Sequence, residues 1–407
     1  MRLLFVSQLF DPEYSIKGLA YLKGLQEAGV EVDVITTFPN YPTGKLFPGY
    51  KIKPWAIENH AGIRVIRVWS FISHSKSKPA RALSYATFMV ASLIAALLNR
   101  KPDVLYAYHP QLTIGLMASL FQVIKGVPFV TDVQDLWPDA LAATGFHRQG
   151  RIYRMINALC NYVYRRSSHI VTLSNGYKEE LVRRGVAPEK VTVIYNWHAT
   201  EGGAYIPKEP SSQLPVNFCY AGNLGKAQAL SALIEAFSRF PKNSVILTVV
   251  GDGVERETLQ RFASQLGADN VRFLGYMPSD KLEPVIAESH VLVIHLKNDP
   301  LFKITIPSKT QACLSYRKPI LIAVGGEANQ LIEQAGAGIC ALPEDVDDIE
   351  RAVRCLVAAR EQWSEMGAAG WEFYNRKMSR ASGIEKTLST FKKLDLIDHE
   401  SQKGIEH

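Results

Sequence analysis

Short, continuous apolar runs alternate with stretches of helical spacing along this chain, and the alternation pauses once near the middle. A strand buried on both faces of a parallel sheet reads as such a run. Leu3–Ser7 is the first. Ile16, Leu19, Ala20, Leu22 and Leu25 then fall at helical spacing, and Gly29 ends that helix. Val30–Thr36, Val65–Val68, Val104–Tyr108, Phe129–Asp132 and Ile170–Ser174 continue the series. From Glu201 to Leu214 the composition turns to Gly, Pro and Ser, the signature of an interdomain linker. Phe218–Tyr220, Ile246–Gly251, Val271–Leu274, Val291–His295 and Ile320–Val324 then repeat the pattern. Alternating strand and helix folds into a parallel sheet covered on both faces. The expected fold class is therefore α/β, with two doubly wound, Rossmann-like domains, and 407 residues suit two such domains. Their ligand site is expected in the cleft between them, in loops beyond the carboxyl ends of the strands.

A net charge of +7 and a pI near 9.0 call for an anionic partner. They do not choose among nucleic acid, anionic lipid and a phosphorylated small molecule. The five cysteines are odd in number and none is spaced CxxC, which disfavours a disulfide framework and a zinc ribbon and fits a reducing cytosol. The apolar run at the N-terminus is too short for a signal peptide. Leu83–Leu98 is the longest apolar stretch, with Arg81 before it and Arg100 and Lys101 after it. It falls short of the usual spanning length. A buried core helix is one reading, and a helix at the bilayer interface with cationic flanks is the other.

Several turns carry candidate chemistry. In Gln8–Gly18, Gly18 opens a helix, where unpaired N–H groups favour an anion, and Lys17 adds charge; a plain packing loop is the alternative. The absence of GxGxxG there counts against a nicotinamide enzyme. His109 and Pro110 stand at the end of a strand, and Asp132, Asp135, Trp137 and Asp139 follow the next. The aspartates read as acid–base or acceptor contacts, or as helix N-caps. At 220–228 a strand runs into Gly222, Asn223, Gly225 and Lys226, a turn suited to a diphosphate but lacking a P-loop ending. Gly251 lies in Val-Gly-Asp-Gly, and Ser308 and Lys309 open a helix in Ile-Pro-Ser-Lys. Asp345-Val-Asp347 imitates a metal motif, but Asp347 and Glu350 fit a capping box, and no metal is expected.

The order of these motifs carries a resemblance. It runs through a Pro-Glu loop after the first strand, Thr-Thr-Phe-Pro-Asn-Tyr-Pro at 36–42 and Tyr-His-Pro at 108–110. It continues through Asp-Val-Gln-Asp-Leu-Trp-Pro-Asp at 132–139, Ala-Gly-Asn-Leu-Gly at 221–225 and Gly-Asp-Gly at 251–253. It ends with Phe-Leu-Gly-Tyr at 273–276, Ile-Pro-Ser-Lys at 306–309 and Lys-Pro at 318–319. The chain resembles the family 4 glycosyltransferases of the GT-B fold over essentially its whole length. Within them it is most similar to bacterial O-antigen and capsule transferases of the N-acetyl-L-fucosaminyltransferase type.

The resemblance implies an acceptor-side domain at 1–200, a linker at 201–214 and a nucleotide-sugar domain at 215–372, with a C-terminal helix at about 373–397 returning to the first domain. It implies retaining transfer of an N-acetylated deoxyhexosamine such as L-FucNAc from a nucleoside diphosphate, UDP, to a polyprenyl diphosphate-linked saccharide. Neither a metal nor a cofactor is implied, and nucleic acid is not a partner. The enzyme is expected in the cytoplasm, peripheral on the inner face of the plasma membrane. His109, Lys226 and Lys309 take the catalytic roles. Lys17, Gly18, Gly222, Asn223, Gln228, Gly251, Tyr276, Ser308 and Gln311 take the donor. Asp132, Asp135 and Trp137 face the acceptor. The family's Glu-x7-Glu carboxylates are replaced by Ile304 and Ala312, with Gln311 as a substitute ribose contact. Asn223 stands near the family's diphosphate arginine, and Lys226 or Gln228 near its lysine. A sugar-nucleotide epimerase and a non-catalytic nucleotide-sugar-binding subunit are the alternatives.

Overall fold

The computed structural model describes residues 1–72, 77–142, 150–198 and 215–403, so the linker expected at 201–214 lies outside the described residues. The chain divides into two compact units. The first is Met1–Tyr195 with Gly383–His407, and the second is Asn196–Ser382.

Unit 1 is built on an eight-stranded sheet. Its strands are β1 (Arg2–Ser7), β2 (Glu31–Thr37), β3 (Trp55–His60), β4 (Ile63–Val68), β5 (Val104–His109), β6 (Phe129–Val133), β7 (His169–Thr172) and β8 (Val191–Val193). Their order is β3-β4-β2-β1-β5-β6-β7-β8, and every pair is parallel except β3 with β4. The chain runs outward from β1 in one direction and from β5 in the other. The β1/β5 boundary is thus the topological switch point, where such sheets bind ligands. Apolar residues such as Phe5, Val34 and Phe129 are fully buried, as a two-sided core requires. Sequence reading misses β3 because its residues alternate exposed and half-buried along an edge.

The segment expected as one helix over 373–397 is two helices, Trp363–Lys377 and Arg380–Lys403. The second joins unit 1. Its Thr387 hydroxyl lies 2.8 Å from Tyr21 Oη, and Phe391 meets the edge of Tyr106.

The apolar stretch near residue 90 forms the helix Lys78–Leu98. It is not the core helix its composition allows, because only 22% of its apolar window is buried. Phe88, Ser92, Ala95 and Ala96 face the sheet, while Leu83, Val90, Ile94 and Leu98 are exposed.

Unit 2 carries a six-stranded parallel sheet in the order β11-β10-β9-β12-β13-β14. The strands are β9 (Val216–Ala221), β10 (Val245–Val250), β11 (Val271–Gly275), β12 (Val291–His295), β13 (Ile320–Ala323) and β14 (Gly338–Cys340). Its switch point lies between β9 and β12. The helix Val346–Ala358 starts two residues earlier than the capping-box reading has it. Asp345 is the N-cap and accepts from Asp348 N at 3.0 Å, while Asp347 pairs with Arg239.

Candidate active site

In unit 1, His109 ends β5 at the switch point, and its carbonyl accepts from Gln8 N at 2.6 Å. The ring is half-buried against the edge of Tyr85. Burial pushes its pKa down to about 4, so near neutral pH the imidazole is uncharged and has one donor and one acceptor nitrogen.

Lys17 and Asp132 do not lie where the sequence puts them. Both are fully buried and form an ion pair beneath the carboxyl edge of the sheet. Tyr106 Oη donates to Asp132 Oδ2 at 2.5 Å, Gln134 Nε2 donates to Oδ1 at 2.5 Å, and Lys17 Nζ donates to Tyr106 Oη at 3.1 Å. The charge of Lys17 is thereby neutralised inside the fold, and Asp132 is withdrawn from any acceptor. Gly18 is the N-cap residue of the helix Leu19–Glu27, as expected, but the anion at that terminus is internal. Asp11 Oδ2 accepts from Leu19 N at 2.7 Å. Sequence reading overlooks Asp11, and it also overlooks Glu13 as an organiser. Glu13 is buried and accepts from Asn40 N at 2.5 Å and Tyr41 N at 2.6 Å, tying the loop after β1 to the loop after β2. Asp135 is exposed, and Trp137 is half-buried with its carbonyl held by Arg184 at 2.8 Å. Arg184 also pairs with Asp139.

Unit 2 draws several expected residues together. The loops after β9, β10 and β11 lie side by side at the carboxyl edge. Gly222 N donates to Val250 O at 2.8 Å, Leu224 N to Asp252 O at 2.9 Å and Gly251 N to Gly275 O at 2.8 Å. Gly222 and Gly251 have φ of +150° and +139°. A Cβ on Gly251 would overlap the Gly222 carbonyl, and one on Gly222 would overlap Lys309 Cε. Backbone and lysine approach this closely only because both residues are glycine. Gln228 Oε1 accepts from Gly225 N at 3.1 Å and Asn223 Nδ2 at 3.3 Å, closing the turn on itself. His295, fully buried at the end of β12, holds Gln228 O through Nδ1 at 2.8 Å.

Lys309 is the second residue of the helix Ser308–Ser315. Its ammonium meets Tyr220 Oη and sits 3.7 Å from the centre of that ring. Tyr220 Oη in turn donates to Asn223 O at 2.9 Å. No carboxylate pairs with Lys309 among the described residues. Burial without a counter-ion pushes its pKa down to about 7. Tyr220 is absent from the expected site because it reads as one more core residue of a strand, 89 positions from Lys309. Lys226 and Ser308 are exposed on the same edge, as is Tyr276 just past β11. Gln311 is not placed for a ribose: it is buried, and its amide nitrogen reaches Pro307 O at 2.8 Å and Ser308 O at 3.0 Å. Among the described residues, no group of three or more His, Cys, Asp or Glu side chains is placed to hold a metal.

Unit 2 thus presents glycine-lined backbone, the N-terminus of a helix and an unneutralised lysine at its switch point, an arrangement suited to a diphosphate. Residues 19–197 match the glycosyl transferase 4-like domain, and residues 205–372 match glycosyl transferases group 1. The colanic acid biosynthesis glycosyl transferase WcaI of Escherichia coli K12 is 24% identical over 377 residues, covering 87% of this chain and 91% of that protein. Sucrose-phosphate synthase from Thermosynechococcus elongatus superposes with a TM-score of 0.68 at 13% identity, covering 97% of this chain and 99% of that one. Anabaena HepE in complex with UDP gives 0.67 at 14% identity, covering 97% and 100%. The chain is a glycosyltransferase of the GT-B fold, made of a glycosyl transferase 4-like domain followed by a group 1 domain.

Proposed function

We propose that the chain moves a sugar from a UDP-sugar to a lipid-linked saccharide, with retention at the anomeric carbon and without a bound metal. The donor sugar in this reading is an N-acetylated deoxyhexosamine of the L-FucNAc kind. The acceptor is carried on polyprenyl diphosphate at the cytoplasmic face of the membrane, in O-antigen, capsule or exopolysaccharide assembly. The observation that carries the reading is Lys309, desolvated and without a carboxylate partner among the described residues, beside the Gly222 and Gly251 turns. The assignment of WcaI to colanic acid biosynthesis and the UDP held by HepE support the pathway class and the nucleotide.

In the reaction, the bond from the anomeric carbon to the diphosphate breaks and a bond to the acceptor oxygen forms. The acceptor's proton leaves with the departing diphosphate. Negative charge grows on that diphosphate, and Lys309, Lys226 and the head of the helix Ser308–Ser315 are preorganised to stabilise it. His109, held neutral by burial, hydrogen-bonds a sugar hydroxyl on the acceptor-side unit. The test is a thermal-shift screen against UDP, GDP, ADP and TDP, followed by a transfer assay. Selective stabilisation by UDP that is lost in Lys309→Ala, with transfer lost in His109→Ala at unchanged Tm, is the expected result. No shift with any nucleotide would refute it.

Ile304 and Ala312, standing where family members often carry carboxylates, favour one other reading, a non-catalytic nucleotide-sugar-binding subunit. Transfer by the isolated protein would dismiss it. Acceptor-independent conversion of a UDP-sugar would instead support an epimerase.

A further inference from the structure

We propose that the outer face of three neighbouring helices in unit 1, Lys78–Leu98, Gln111–Lys125 and Arg151–Arg166, is a docking surface that lies flat on an anionic lipid bilayer. This specifies the surface behind the lipid-acceptor reading and rests on that reading only for its purpose. The helices succeed one another along the same side of the sheet, with Gln111–Lys125 packed between the other two.

The first helix is inverted relative to an ordinary surface helix. Its large aliphatic residues Leu83, Val90, Ile94 and Leu98 point outward at helical spacing, 48–75% exposed, while Phe88, Ser92 and two alanines face the sheet. A surface helix in water carries the opposite pattern. The middle helix continues the stripe with Leu120, Val123 and Ile124, all exposed. The third adds Ile152, Met155 and Tyr162. An apolar face shared by three adjacent helices marks an interaction site, whereas scattered single residues do not.

Charge identifies the occupant. None of the three helices contains an Asp or Glu. Arg81 lies near the start of the first helix, and Arg100 and Lys101 follow it. Lys125 ends the second, and Arg151, Arg154, Arg165 and Arg166 bracket the third. None of these eight has an ion-pair partner among the described residues. An apolar centre with unpaired cations at its margins matches lipid tails below anionic headgroups. Two copies of this face would set like charges against each other, which disfavours self-association through it. The first helix is long enough to span a bilayer, but Phe88, Ala95 and Ala96 commit its inner face to the sheet. It therefore lies on the membrane rather than across it.

The test uses the full chain and co-sedimentation with vesicles of phosphatidylcholine, alone or with about 30 mol% phosphatidylglycerol, at low and high salt. Wild type is expected on the anionic vesicles, less so at high salt. Val90→Glu/Ile94→Glu and Leu120→Glu/Ile124→Glu each should weaken binding about tenfold or more. Arg151→Glu/Arg154→Glu should do the same, and it decides the matter should an apolar variant fail to fold by circular dichroism. Binding unchanged in Leu120→Glu/Ile124→Glu and in Arg151→Glu/Arg154→Glu would overturn the three-helix surface. So would a wild-type dimer in sedimentation that Val90→Glu/Ile94→Glu dissociates. UDP binding without vesicle affinity would overturn this surface alone. Vesicle binding by a chain that binds no nucleotide would sink the transferase reading and leave the surface standing.

Discussion

Nucleotide binding should take up a proton at Lys309. The unliganded side chain is half-buried against Tyr220 with no carboxylate to hold its charge among the described residues, and desolvation pushes its pKa down to about 7. A bound diphosphate supplies the missing counter-charge and returns the pKa toward the ordinary lysine value near 10.4. The sign follows directly. Above pH 7 the free protein holds less than half a proton at Nζ and the complex holds a full one, so affinity falls as pH rises. At pH 8 the free site is about one-tenth protonated, so binding takes up about 0.9 proton. Between pH 7 and pH 9 the affinity should fall about 50-fold, or about 2 kcal/mol. Phosphate groups titrate near pH 6, so they contribute little in this window. The assay is calorimetric titration of UDP at pH 8 in two buffers with different ionisation enthalpies. The slope of apparent enthalpy against buffer enthalpy gives the proton uptake. Lys309→Arg keeps the charge without titrating and should bring the uptake near zero. Equal apparent enthalpies in both buffers for wild type, or the same uptake in Lys309→Arg, would refute the reasoning.

Three further expectations concern the framework of the two units. Lys17→Met leaves Asp132 charged and buried, so it should destabilise unit 1 by about 3–5 kcal/mol, and Lys17→Met/Asp132→Leu should recover much of that loss; additive losses in urea unfolding would contradict a coupled pair. Gly251→Ala forces a side chain against the Gly222 carbonyl at a φ of +139° and should cost at least about 1–3 kcal/mol and weaken UDP binding with it; an unchanged Tm would show that the turn yields. His109 and His169 are both held near a pKa of about 4 by burial, below the unfolded value near 6.5. The unfolded chain then binds more protons between those values, and stability falls as pH drops from 6.5 through 4. His169→Gln should lessen that fall in urea midpoints, and an equal fall in both proteins would exclude His169 as a source.

The buried parallel strands are legible because they are locally redundant. Leu3–Ser7 or Val291–His295 is apolar at nearly every position, and no partner need be known to read it. Edge strands lack that redundancy. Trp55–His60 alternates half-buried with exposed residues, and Gly338–Cys340 has only three residues. The helix Lys78–Leu98 is legible in type but not in orientation. Its apolar residues surround the whole axis, so hydrophobic periodicity has little to report. Only the fold shows that Phe88, Ser92, Ala95 and Ala96 face the sheet while Leu83, Val90, Ile94 and Leu98 face outward.

Lys17 and Lys309 show where local reading of a site ends. Both lie at the head of a helix beyond or beside a switch-point strand, and both carry the charge that an anion site needs. Their neighbours in sequence do not separate them. Asp132 does, 115 positions from Lys17, by burying a carboxylate against it. Lys309 meets a tyrosine instead, and a hydroxyl does not cancel the charge of an ammonium. The difference is one long-range pairing in each case, and it reverses the chemistry. The first lysine is consumed in holding the loop after β1 on the sheet, and the second lacks a counter-ion, which an incoming diphosphate can supply. A helix-head lysine therefore becomes evidence for a phosphate site only once its nearest buried carboxylate has been sought and not found.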